Sequence, residues 1–224
     1  MDSVFVKYDP SKWTHSEKTS REKIKKGLDR SANGVSFYDW INFNSFYGWT
    51  IFKTLKLIVN KKVSVSEHTI KEAEDLLIAA KVARKELKKA EKDFFKGSVD
   101  SYLSAVEGPI MKEREIVFKF FKNILPELKF VKDYEPQNID RPNIFVESDI
   151  KSLGSHLLQV WITGLNRFIT DGSGYPGKLT DEIWNEKLTH IIKESVLIDP
   201  NVEGSPDWDG FEDFILELYG ALWD

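Results

Sequence analysis

Six cationic residues within about three helical turns, Lys81, Arg84, Lys85, Lys88, Lys89 and Lys92, form a dense basic group near the middle of the chain. Lysines and arginines at that spacing can neutralise a row of phosphates, which makes them a candidate nucleic-acid contact. Glu86 and Glu91 interrupt the run, and the cations alternate with the apolar stripe that any packed helix needs, so a solvated face is the simpler reading. A second group lies towards the C-terminal end. Trp208, Phe211, Phe214, Tyr219 and Trp223 are interleaved with Asp207, Asp209, Glu212, Asp213, Glu217 and Asp224. Aromatic side chains anchor interfaces and acids steer a basic target, so Trp208, Asp209, Glu212, Tyr219 and Trp223 are the candidate partner-binding residues of a protein-binding surface. The same pattern also suits a core helix with an acidic back. Trp208 and Trp223 favour the interface reading because they fall at the helix ends, where full burial is harder.

Catalytic and metal chemistry finds less support. Counting from Asp199, the loop before the last helix places Asn201, Glu203, Gly204 and Asp207 at calcium-loop positions, but Gly210 stands where a bidentate Glu is required. The Asp171-Gly172-Ser173-Gly174 loop fails at both ends, with Ile169 first and Thr180 twelfth. Two turns with acidic caps explain both loops. Glu186, His190 and Glu194 share a face at i, i+4, i+8, opposite Trp184, Leu188 and Ile191, and His156 lies with Ser152, Gln159 and Thr163. These read as polar helix faces rather than metal ligands. No phosphate-binding loop, dinucleotide fingerprint or nucleophile elbow occurs. Neither a catalytic residue, a metal ligand nor a cofactor is therefore assigned.

The elements that position these groups are helical. Ala73, Leu76, Leu77, Ala80, Ala83, Leu87, Ala90 and Phe94 recur at steps of three and four and predict a long amphipathic helix within Ser64 to Gly97. Ser64 with Glu67 has capping-box spacing, Thr69 with Glu72 repeats it, and Gly97 suits a helix end. Ser45 to Val59 is apolar on nearly all sides, a pattern that fits buried strands as well as a buried helix, of which the helix is favoured, and a short basic helix fits Ser20 to Leu28. Beyond Gly97 comes Val99 to Val106, then a helix over Ile110 to Leu125 started at Pro109 and ended at Pro126. Three more helices follow, over Ile150 to Ile169, Thr180 to Val196 and Pro206 to Leu222, with Thr180 and Ser205-Pro206 as start signals. The fold class is all-α, a helical bundle of about five to seven helices around the long one. Lys132 to Pro142 is polar, holds two prolines and is the best boundary. It divides an N-terminal helical part, residues 1–131, from a C-terminal three-helix part, residues 143–224, within two lobes or a single domain.

Among the 224 residues, 41% are hydrophobic and 30% charged, a balance that excludes wholesale disorder, and there is no cysteine to build a disulfide, a thiolate metal site or a thiol nucleophile. No signal peptide and no run of 18 apolar residues occurs, so the expected location is cytoplasmic, with no membrane contact. The net charge of −4 is unevenly spread. Residues 1–100 hold 20 Lys and Arg against 14 Asp and Glu, whereas residues 151–224 hold 5 against 13. Such a dipole bears on association with charged partners more than on fold.

The segment Gly174-Tyr175-Pro176-Gly177-Lys178-Leu179-Thr180-Asp181-Glu182-Ile183-Trp184, followed by Leu188 and Ile191-Ile192, resembles a short pattern in uncharacterised bacteriophage proteins. There an amphipathic helix leads into GYP, two residues, LT, an acidic turn and a Trp, then a second amphipathic helix. The resemblance covers about Leu153 to Val196 and departs from the pattern at Ile183, inserted before Trp184. It implies phage or prophage origin, hence a bacterial or phage-infected host cell, and no particular activity. The expected function is a non-enzymatic protein-binding module, a phage-encoded accessory protein or an inhibitor of a host protein. Alternatives are a nucleic-acid-associated protein using the Lys81 to Lys92 face and a cation-dependent enzyme.

Overall fold

The computed structural model describes residues 43–96, 102–132, 134, 150–170 and 179–219, and among them the protein is an all-α bundle without strands. The helix expected over Ser20 to Leu28, the Gly97 stop, most of the 132–142 boundary, the Asp171 loop with the Gly174-Tyr175-Pro176 motif, and Trp223 lie outside these residues. Six α-helices lie among the described residues: α1 (Phe43–Val59), α2 (Glu67–Phe95), α3 (Tyr102–Lys119), α4 (Leu153–Thr170), α5 (Asp181–Val196) and α6 (Trp208–Asp213).

Helix α1 forms because Tyr47, Ile51, Leu55 and Ile58 recur every three or four residues and are all buried, with Thr50 and Thr54 beside them. The Thr54 hydroxyl escapes desolvation by donating to the Thr50 carbonyl, 3.0 Å away. The helix stops at Lys61, whose φ of 55° reverses the chain. The Lys61 and Lys62 amides return to the carbonyls of Ile58 and Leu57, at 2.8 and 2.9 Å, and satisfy the open helix end.

The cap of α2 is Ser66 rather than Ser64. Its hydroxyl accepts from the Thr69 amide at 3.1 Å, which puts Glu67 in the first turn, where negative charge is favoured. The expected break before Pro109 is also corrected, since α3 runs through that proline. Pro109 removes one helical hydrogen bond at a cost of about 3 kcal/mol. Against this, Val106, Val117, Phe120 and Ile124 hold one buried row in helical register on both sides of it. After Lys119 the chain widens into a π-helical turn, Phe120–Ile124, then tightens into a 3-10 turn, Leu125–Glu127, at Pro126. Phe120 and Phe121, adjacent in this wide turn, are both buried.

Helices on either side of residues 132–142 share one hydrophobic core. Its centre is Trp161 of α4, whose ring lies 4.9 Å from Phe121, 5.0 Å from Tyr47 and 6.0 Å from Tyr219. The Trp161 indole donates to the Ser195 hydroxyl of α5 at 2.9 Å, and that hydroxyl donates onward to the Ile191 carbonyl at 2.6 Å. Both buried polar groups are thereby paired. Thr180 caps α5 through the Ile183 amide, 3.3 Å away. Asp207, rather than Ser205, caps α6 through the Gly210 amide at 3.1 Å. A second π-helical turn, Phe214–Leu218, extends α6, and Arg114 of α3 donates to its Leu216 carbonyl.

Candidate polyanion-binding face

Helix α2 lies against both α1 and α3, and these contacts decide where its charges point. At 3.6 residues per turn, Lys81, Lys85, Lys88, Lys89, Lys92 and Lys96 fall within roughly a third of the helix circumference, opposite the buried Ala73, Leu76, Ala80 and Ala83. All six lysines are exposed, and none has an ion-pair partner among the described residues. The face runs for about 27 Å from Ile78 to Lys96 at 1.5 Å per residue. Its first turn is apolar, with Ile78 59% and Val82 46% exposed.

The acids that break up the basic run in the sequence leave this face in the fold. Glu86 accepts from Lys112 of α3 at 2.7 Å, on the flank of α2. Asp93, seven residues on, lies half-buried along the same flank, and Glu91 is half-buried towards the core side. The result is an uninterrupted lysine surface. Each neutralised phosphate releases counterions, so a row of uncompensated lysines attracts a polyanion far better than a mixed face would.

Arg84 plays a different part from its neighbours. Its guanidinium sits over the Phe52 ring of α1, 4.2 Å from the centroid, and 3.9 Å from the Glu113 carboxylate of α3. It ties three helices together. Burial pushes the Glu113 carboxyl above its ordinary pKa, against the opposing pull of Arg84. Lys56 approaches the same Phe52 ring to 4.4 Å, and one turn earlier Lys53 covers Trp49 at 4.9 Å. Trp49, Phe52, Lys53 and Lys56 therefore form a cationic, aromatic ridge on α1 that meets the edge of the lysine face at Arg84. The ridge is hard to see in a stretch that is apolar on nearly all sides, and its sequence signal is Lys53 and Lys56 at i and i+3, which mark an outer edge.

The C-terminal candidates are scattered by the fold. Tyr219 is 6% exposed, belongs to the core and is corrected as a surface residue. Phe211 and Phe214, from the same aromatic run, are also buried. Trp208 is half-buried, with its ring 5.8 Å from Phe211 and 6.5 Å from Phe118. Asp209 is exposed and Glu212 half-buried. The helix packs its aromatics inward and leaves acids outside, without an aromatic anchor on the solvent side among the described residues.

His156 is likewise corrected from polar face to interior. It is 2% exposed, and its Nδ1 lies 3.0 Å from the Tyr134 hydroxyl. The chain after α3 covers that side of α4 through the Ser155 hydroxyl, which accepts from the Val131 amide at 2.8 Å. In the Asp199 loop the carboxylate accepts from the Asn201 amide and side chain, at 2.9 and 2.8 Å, a local turn. Among the described residues no cluster of His, Asp and Glu could hold a metal ion, and no helix is long and apolar enough to cross a membrane. No protein-family model, curated protein or solved structure matches the chain.

Proposed function

We propose that this protein is a non-enzymatic binding module that docks nucleic acid on the lysine face of α2. The observation that carries the reading is the removal of Glu86 to Lys112, which leaves six exposed lysines on one face without an intervening acid. The acidic C-terminal helix supports a protein-partner role less well, because Tyr219, Phe211 and Phe214 are spent on the core. Its negative charge has a use in the nucleic-acid reading: it repels phosphate from that end of the molecule and orients the approach. The resemblance of the Gly174 to Trp184 segment to bacteriophage proteins is the ground for placing such a module among phage-encoded accessory proteins.

The test is a titration of a fluorescently labelled oligonucleotide, followed by anisotropy across a range of salt concentrations. With about four of the six lysines engaged, the logarithm of the binding constant should fall with the logarithm of salt at a slope of about −3 to −4. Binding without salt dependence would count against the lysine face, and so would no binding at low salt.

A further inference from the structure

Resting on the nucleic-acid reading above, we infer that the strand bound by this face is single-stranded, with Trp49 as the platform on which a base stacks. Two features separate this from duplex binding. A helix reads duplex DNA by entering a major groove about 12 Å wide. Here α2 is flanked on both sides, by α1 through Arg84 over Phe52, and by α3 and the π-helical turn after it through Glu86 on Lys112 and Glu72 on Asn123. With neighbours packed along both flanks, α2 offers lysine tips rather than base-reading side chains, which suits phosphate contact more than readout of a duplex groove.

A flexible strand can follow the surface instead. Its phosphates run along Lys81, Lys85, Lys88 and Lys92, spaced by three or four residues, or about 4.5 to 6 Å of helix rise. At Arg84 the track meets the α1 ridge, where two aromatic rings are available by position and only one by exposure. Phe52 is already occupied by Lys56 at 4.4 Å and Arg84 at 4.2 Å. Trp49 is 39% exposed and, among the described residues, carries a single cation, Lys53, at 4.9 Å. An indole with one cation beside it and part of its surface in solvent is the arrangement that stacks a base without regard to sequence.

The test compares a labelled 20-nucleotide oligo-dT with a labelled 20-base-pair duplex at equal salt, for the wild type, Trp49→Ala, Trp49→Phe and the Lys85→Glu/Lys89→Glu double variant. The single strand should bind more tightly than the duplex. Trp49→Ala should weaken single-strand binding by about 5- to 150-fold while leaving the salt slope and the duplex affinity unchanged, and Trp49→Phe should restore most of the loss. Unchanged thermal melting of the Trp49 variants shows that they fold. Lysine-dependent binding that ignores Trp49, or that favours the duplex, overturns this inference alone. Binding that survives the double lysine variant, or no binding by the wild type, overturns the nucleic-acid reading itself.

Discussion

Replacing Tyr219 by alanine separates a core helix from an interaction surface at the C-terminal end. The ring is 6% exposed, lies 6.0 Å from Trp161, and its hydroxyl is hydrogen-bonded to the backbone at Gly48. A buried aromatic covers about 150 to 250 Å². At about 25 cal/mol per Å² this burial is worth roughly 4 to 6 kcal/mol, an upper figure because the unfolded chain already hides part of that area. Measured truncations of buried aromatics cost about 3 to 5 kcal/mol, and Tyr219→Ala should fall in that range. Tyr219→Phe keeps the ring and loses only the hydroxyl contact, for about 1 kcal/mol. The assay is equilibrium urea unfolding followed by circular dichroism. With a slope of about 2 kcal/mol per M, the alanine variant should unfold about 1.5 to 2.5 M earlier and the phenylalanine variant about 0.5 M earlier. A Tyr219→Ala protein within 1 kcal/mol of the wild type would refute the core assignment and return the residue to the surface.

Other expectations rest on local geometry. A methyl group on Gly154 would stand 2.5 Å from the Phe130 ring, and the hydrogen bond from the Gly154 amide to the Lys129 carbonyl holds the two backbones together there; Gly154→Ala should cost about 1 to 3 kcal/mol in urea unfolding, and much less in a Phe130→Ala background. Lys61→Gly should raise stability by about 1 kcal/mol, read as a higher melting temperature, because a side chain at φ 55° is strained where glycine is not. Burial raises the pKa values of Tyr47 and Tyr219 above the usual tyrosine value, with the charge of Tyr219 adding to the shift of Tyr47 and that of Glu113 adding to the shift of Tyr219. Their neutral forms are favoured in the fold, so this contribution is complete below about pH 10 and is lost as pH rises above it; the decline in urea stability should flatten in the Tyr47→Phe/Tyr219→Phe variant.

Much of the architecture was legible in the sequence, and the parts that were not have a common cause. The apolar steps from Ala73 to Ala83 locate α2 because a helix face must be continuous to be buried, and the same reasoning places α4 and α5 around Trp161 and Trp184. Cap positions slipped by two residues at Ser66 and Asp207, since Ser, Thr and Asp at neighbouring positions are equivalent until the backbone chooses one. Pro109 reads locally as a helix start because its cost inside a helix is large, whereas the row that carries the helix through it gains its stability by burial against other helices. The lysine face is harder to see in the chain, where Glu86 interrupts it; helix geometry turns that acid to the flank, and its partner Lys112, 26 residues away, holds it there. His156 and Tyr219 sit on faces whose covering elements are distant in sequence, at Tyr134 and at α1 with α4.

The central claim is that the lysine face of α2 holds nucleic acid, and charge reversal there tests it most directly. Anisotropy of labelled oligo-dT should be titrated with the wild type and with Lys85→Glu/Lys89→Glu/Lys92→Glu across several salt concentrations. These side chains are exposed, so folding should be retained, with a melting temperature close to that of the wild type. The expected result is steep, salt-dependent binding by the wild type and a loss of at least about 100-fold in the triple variant, with a correspondingly shallower salt slope. Equal binding by the two proteins, at equal slope, would contradict the account.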